Sequence, residues 1–407
     1  MNNKLFCWLY LYLLFLVPLC CGTVCTKSAT SVADTLLSQD PSLSLSKKDL
    51  VRAINFIEKI HNSQKNKDRW RYSEKNTSLP CVIEKCPEMD GYLIRELYQK
   101  DKIGSGRSKV VRRAIFYSAD PKIVVDCDSH RAGKREINVL RQLKGCPGIV
   151  PFLGSIQWEE NRHSIYLEYF PKGSLRDQLK HKAKFSKEQI IKIALDTSSA
   201  VQLLHSKNLI YGDCHSGNIL LRSQTDTSIE AVLTDFGDTQ DVDSAKSAFP
   251  HKRPPELLVQ PLKQIDRHLT DVYAIGFVLY YLVWEKDIPW FGLIGKKGLK
   301  NNTLSHKEKN DCYSKIVSLY EKDKQKKIGS FKPLIVSFEQ FQATIFQMLH
   351  YDPKKRPSVD EVVERFRVLL EQERAEIAQQ NLNPSCALFL LQAGCGKQST
   401  SRCSSIR

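Results

Sequence analysis

Apolar and polar positions follow two textures along the chain. Between Tyr98 and Tyr169 the apolar residues come in short runs, Lys109–Phe116, Ile123–Cys127 and Ser164–Tyr169, separated by glycine and proline. Runs of that length, rich in β-branched and aromatic residues, predict strands. Past Gly173 the period lengthens. Ile190, Ala194, Thr197, Val201 and Leu204 fall on one stripe at helical spacing, and Asp271–Trp284 is apolar almost all round, which predicts a buried helix. Glu361–Glu373 predicts a last amphipathic helix. Strands first and helices later, with no internal repeat, imply a two-lobed α+β body.

The flanks read differently. Ser46 followed by Asp49 predicts a helix start of the capping-box kind, with Leu50, Ile54 and Ile57 on one face. Residues 23–45 are rich in Ser and Thr and read as a linker, and 61–78 read as a polar loop. The lysine-dense stretch 295–332 reads as an exposed insertion, and the tail from Pro384 as loose. These features divide the chain into a leader (1–22), a linker with an N-terminal helical segment (23–96), a main domain (97–371) and a tail (372–407).

Lys4 precedes an uncharged run, Leu5–Leu19, and Gly22 follows, as in a secretory signal peptide. Retained, the same run would act as a signal anchor, the chain's one expected attachment to a membrane. Either reading places the protein in the secretory route, in the ER or Golgi lumen or outside the cell. Sequons at Asn76 and Asn301 agree with that route. Cleavage after Gly22 would leave ten of the thirteen cysteines. No C-x-x-C pair occurs, so a zinc site is not expected; Cys81 and Cys86 are candidates to close a small disulfide loop, against free buried thiols. The net charge of +16 favours anionic partners and says nothing about fold. No interleaving of basic and aromatic residues marks a nucleic-acid reader, and none is expected as partner.

The chemistry concentrates in three places. Ile103-Gly104-Ser-Gly106 precedes a predicted strand, a weak signal alone. Ile210-Tyr-Gly-Asp213-Cys-His-Ser-Gly-Asn218-Ile-Leu-Leu221 sets an Asp and an Asn five residues apart, and Asp235-Phe-Gly stands seventeen residues beyond Asn218. Phosphoryl transfer needs a carboxylate to orient the attacking hydroxyl and oxygen ligands to hold Mg²⁺ on the phosphates. An Asp, an Asn and a second Asp supply that set.

With these motifs the chain resembles the eukaryotic-type protein kinase superfamily over residues 97–371. Glu136 in Lys-Arg-Glu-Ile-Asn-Val-Leu, Leu167-Glu168-Tyr-Phe170, Pro254-Pro255-Glu256, Asp271-Val-Tyr-Ala-Ile-Gly276 and Asp352-Pro-Lys-Lys-Arg356-Pro complete the ordered set. The resemblance implies a bilobal protein-kinase-like fold, a small antiparallel β lobe and a larger helical lobe, using ATP and Mg²⁺. It implies that Asp213 orients the acceptor hydroxyl and that Asn218 and Asp235 hold the metal. Ile103, Gly104, Gly106 and Val111 would cover the nucleotide, and Glu168 and Phe170 would offer backbone groups to adenine. Asp271 and Arg356 would be architectural.

Three departures follow. Gly212 stands where regulated kinases carry Arg, and His215 where protein kinases carry Lys; Gly-Asp-x-His-x-Gly-Asn resembles the loop of small-molecule phosphotransferases. Counted along the strand, Asp126 falls where the ATP lysine is expected. Lys109, at the usual third glycine, resembles the placement in with-no-lysine kinases and in the protein O-mannose kinases of the secretory pathway, and is expected to contact the phosphates, tied down by Glu136. The expected function is a secretory ATP-dependent phosphotransferase, a protein serine/threonine kinase, with a glycan or small-molecule kinase and a pseudokinase scaffold as alternatives. The partner would be a protein or glycan acceptor.

Without a cation at position 212, a phosphate on the segment Asp235–Glu256 has no partner from the catalytic loop. Phosphatase treatment should therefore leave transfer rates unchanged despite Thr239, Ser244 and Ser247; a large fall restored by rephosphorylation would contradict this.

Overall fold

The computed structural model describes residues 27–62, 69–71, 81–86, 88–96, 101–105, 109–129, 133–159, 162–223, 228–242, 254–260, 264–295, 305–328 and 336–382. The chain divides into two compact units, residues 1–171 and 172–407. Gly106, the leader, both sequons, Ser244 and Ser247 lie outside the described residues.

The first unit opens with two helices, α1 (Ala29–Gln39) and α2 (Lys47–Asn62). Within the stretch expected as a linker, Ala29–Gln39 is thus helical. Ser28 caps α1 by accepting from the Ser31 N–H, and Val32, Ala33 and Leu36 are buried, an apolar stripe obscured by the surrounding Ser and Thr. α2 starts where Ser46 and Asp49 predict: Ser46 Oγ donates to the Asp49 carboxylate at 2.6 Å and accepts its N–H at 3.2 Å.

The strands are β1 (Arg69–Arg71), β2 (Cys81–Cys86), β3 (Gly91–Glu96), β4 (Lys102–Ser105), β5 (Lys109–Tyr117) and β6 (Lys122–Ser129). Helix α3 (Gly133–Gln142), β7 (Phe152–Glu159) and β8 (Arg162–Glu168) complete the unit. One antiparallel sheet runs β1-β2-β3-β5-β6-β8-β7, with β4 on β5. It curls until Ser155, on the far strand β7, donates at 3.0 Å to Glu88, just past β2.

One face of β2, β3 and β5 presents Ile83, Ile94, Ile115 and Tyr117 to Leu36, Leu50, Ile54 and Ile57 of the two helices. Arg113 adds a polar tie, bonding Asp40 at the end of α1 (2.6 Å) and Asp101 (2.9 Å). The described residues between 27 and 96 therefore contribute to this unit's core. Cys81 and Cys86 end the same strand, five residues apart and on opposite faces. That separation is roughly 16 Å at a strand's rise, against about 4.4–6.8 Å between the Cα atoms of a disulfide. The two cannot bridge each other.

The second unit begins with α4 (Leu175–Lys180) and α5 (Lys187–Ser206), each opened by a capping box, Ser174 with Asp177 and Ser186 with Gln189. Strand β9 (Leu209–Ile210) pairs with β12 (Gln240–Asp241), and β10 (Ile219–Ser223) forms a hairpin with β11 (Ile229–Leu233). Then come α6 (Arg267–Trp284), α7 (Phe291–Gly295), α8 (His306–Ile328), α9 (Val336–Met348) and α10 (Val359–Leu382). α6 is buried along nearly its whole length, as its pattern predicts.

The lysine-rich stretch read as an exposed insertion instead holds α8. Its Ile316 and Tyr320 are buried, and Lys327 lies 3.9 Å from the Tyr280 ring and 4.6 Å from the Trp284 ring of α6. Two buried residues in twenty-three leave little periodic signal among the lysines. Among the described residues no helix is long and apolar enough to cross a membrane.

Leu36→Ala should destabilise the protein by about 2–5 kcal/mol, the usual range for emptying a fully buried leucine site. Urea unfolding measures this; a change below about 0.5 kcal/mol would mean that α1 is not part of the core.

Candidate active site

Each unit carries its own share of the expected residues. In the first, Lys109 opens β5, and its Nζ lies 3.0 and 3.2 Å from the two carboxylate oxygens of Glu136 on α3. Both side chains are largely enclosed, 15% and 2% exposed. The ten-residue α3 is long enough to set Glu136 against the strand. Gly104 pairs with Val111 across β4 and β5, and Ile103 is exposed. Glu168 ends β8 with its N–H on the Pro151 carbonyl, and Phe170 is buried.

The register of β5 and β6 corrects the position of Asp126. Val111 faces Cys127 and Arg112 faces Asp126, so Cys127 shares the face of Lys109 and Val111 while Asp126 points the other way. Counting along the chain missed this by one residue, enough to reverse a strand side chain's face. Asp126 does not occupy the expected lysine position. It is fully buried 3.1 Å from Arg95, which also bonds Glu84 at 3.0 Å, and Arg112 bonds Asp128 at 3.1 Å. Burial pushes the Asp126 carboxyl upward while Arg95 and Arg112 pull it down. The three carboxylates and two guanidinium groups form a charge cluster inside the curled sheet.

In the second unit Asp271 of α6 organises the loop that carries Asp213 and Asn218. Its carboxylate accepts the N–H of Tyr211 and of Gly212, both at 2.9 Å, and lies 3.0 Å from His205 Nε2. Gly212 sits at φ +80, a left-handed conformation that glycine adopts without strain. Next to it, Asn218 Nδ2 donates to the Asp213 carbonyl (3.0 Å) and toward its carboxylate (3.3 Å). Cys214 is buried, and that burial pushes its thiol well above the usual range, as suits a packed thiol.

His215 is half-buried. Its Nδ1 accepts the Gly217 N–H at 3.1 Å, so the ring proton sits on Nε2, 3.6 Å from an Asp213 carboxylate oxygen. The hairpin β10–β11 brings the metal candidates to one end: Ile219 faces Leu233, the Thr234 N–H donates to the Asn218 carbonyl, and Asp235 follows. Asp235 is at φ +61, and its Oδ1 lies 3.4 Å from the Gly237 N–H. A non-glycine residue held there marks a position whose backbone is imposed by its surroundings.

Architectural residues fall as expected. Arg356 makes two bonds to Glu256, at 2.7 and 2.6 Å, with both groups buried. Of the possible phosphate acceptors, Thr239 is buried and its hydroxyl donates to the Tyr211 carbonyl. Two residues were not found from sequence: Cys127, which the strand register assigns, and Arg176, whose Nη2 lies 3.1 Å from His215 Nδ1. No motif flags Arg176, because its partner is thirty-nine residues away.

The donor set suits Mg²⁺. The Asn218 Nδ2 is committed to Asp213, which turns Oδ1 of the amide toward ligation, and Asp235 adds a carboxylate. Among the described residues no three His, Cys, Asp or Glu side chains could hold a metal unaided.

The family pattern of the protein kinase domain matches residues 97–366. The chain belongs to the protein kinase family. Among curated relatives it is 29% identical to the probable serine/threonine-protein kinase gdt4 of Dictyostelium discoideum, over half of this chain and 13% of that protein. It is 30% identical to the serine/threonine-protein kinase CTR1 of Arabidopsis thaliana, over 49% of this chain and 25% of that one. With the liver/testis phosphorylase b kinase gamma catalytic chain of Mus musculus it shares 26%, over 48% of this chain and 53% of that one. The chain thus spans from about an eighth to about half of the length of these relatives.

Arg95→Met should destabilise the protein by about 3–5 kcal/mol, because it strips the shared cation from Glu84 and Asp126 in the sheet interior. Thermal or urea unfolding reads the loss; wild-type stability would refute the charge cluster.

Proposed function

We propose that the chain is an ATP-dependent protein serine/threonine kinase in which Lys109 serves as the nucleotide lysine. The observation that carries this reading is the Lys109–Glu136 pair, on the same strand face as Val111 and Cys127. A lysine held by a buried carboxylate presents a fixed positive charge, and such preorganised charge stabilises a transferring phosphoryl group. Asp126, turned into the sheet interior, places no negative charge on that face.

Asp213 would accept the proton of the incoming hydroxyl, with Asn218 fixing its orientation and the His215 Nε2–H 3.6 Å away. Asn218 and Asp235 would hold Mg²⁺, which would supply charge neutralisation to the phosphates. Glu168 and Phe170 would receive the base, and Val111 would cover it.

Lys109→Met should lower transfer to a protein acceptor about a hundred- to thousandfold, while Lys122→Met, at the start of β6, and Lys134→Met, exposed on α3, retain most of it. Radiolabelled γ-phosphate transfer measures this. Wild-type turnover by Lys109→Met would overturn the lysine assignment, and transfer to a mannose-bearing glycan but to no protein would replace the acceptor class.

A further inference from the structure

Arg176 places a cation beside the catalytic loop that the transfer chemistry above does not employ. It lies in the first turn of α4, is exposed, and sets its Nη2 3.1 Å from His215 Nδ1. A Cβ on Gly217 would stand 2.7 Å from its Cζ and 2.9 Å from both terminal nitrogens, so the missing side chain at 217 is what lets the guanidinium lie against the loop. Arg176 and the Gly217 N–H both donate to Nδ1 and fix the tautomer whose Nε2–H faces Asp213. The positive charge therefore sits one imidazole ring away from Asp213.

Among the described residues no carboxylate forms an ion pair with Arg176. The nearest in sequence, Asp177, is committed to its helix cap, accepting from the Ser174 N–H at 3.1 Å and hydroxyl at 2.6 Å. Lys172 and Lys180 are exposed on either side of it in sequence. A planar guanidinium suits a carboxylate, which it can bind through two parallel hydrogen bonds.

We propose that Arg176 forms an anion subsite beside the acceptor position and selects peptides with an acidic side chain close to the hydroxyl that is phosphorylated. The proposal rests on the assignment of Asp213 as the residue that orients that hydroxyl. Successive residues of an extended peptide advance by about 3.3 Å. An Asp or Glu one to three residues from the acceptor therefore spans the width of the His215 ring between Asp213 and Arg176. A neutral glycan offers nothing to this charge.

The test is equilibrium binding of two fluorescent serine peptides, alike except for Glu or Lys beside the serine, to the full chain with a non-hydrolysable ATP analogue. Wild type should bind the acidic peptide about fivefold more tightly than the basic one, near the most that an exposed ion pair provides. The preference should shrink at high salt. Arg176→Glu should reverse it and Arg176→Lys should keep its direction. Equal binding of both peptides by wild type, an unchanged preference in Arg176→Glu, or tighter binding of a neutral mannosyl glycan would overturn the subsite. A preferred acidic peptide that is never phosphorylated would leave the subsite standing and remove the kinase reading instead.

Discussion

The alternation of side chains across one antiparallel sheet governs the first unit. With Val111 opposite Cys127, Lys109 falls on one face and Asp126 on the other, and no change of rotamer could exchange them. The outer side of that arrangement lets a lysine meet Glu136; the inner side gathers five charged groups into the curl. A slip of one residue would set Asp126 opposite Val111 or Arg113, on the face that carries Lys109, and leave Arg95 and Arg112 without their shared carboxylate. The buried charges thus act against the wrong pairing as much as for the right one, a use of polar groups that concerns specificity more than net stability.

The second unit solves a different problem, the shape of a loop with little regular structure. Backbone N–H groups in such a loop need partners when buried, and Asp271 satisfies two consecutive ones with the two oxygens of a single carboxylate. Asp213, Asn218 and Asp235 are then set by the hairpin that follows, and Arg356 with Glu256 ties a distant stretch into the same body.

Much of this was legible along the chain. The strand runs, the helix α6, the start of α2 and the ordered motifs around Asp213, Asn218 and Asp235 all lie where the pattern places them, because each is encoded within a few consecutive residues. What was not legible depends on residues far apart. α1 hides three buried residues among serines and threonines, and α8 shows two apolar contacts among many lysines. The face of Asp126 depends on where the β5–β6 turn sets the register, and Arg176 becomes part of the site only through a bond across thirty-nine residues.

Gly212 has a further consequence for how this loop can change over generations. An arginine introduced there would keep its backbone bond to Asp271 only by holding a left-handed conformation, at a cost of about 1–2 kcal/mol. Its Cβ would also stand 3.1 Å from the Asp238 carbonyl, closer than most such contacts. Acquiring control by phosphate would therefore begin with a loss of stability before any regulatory benefit could appear. Its glycine makes the present loop cheap to form and hard to place under a charge-operated switch.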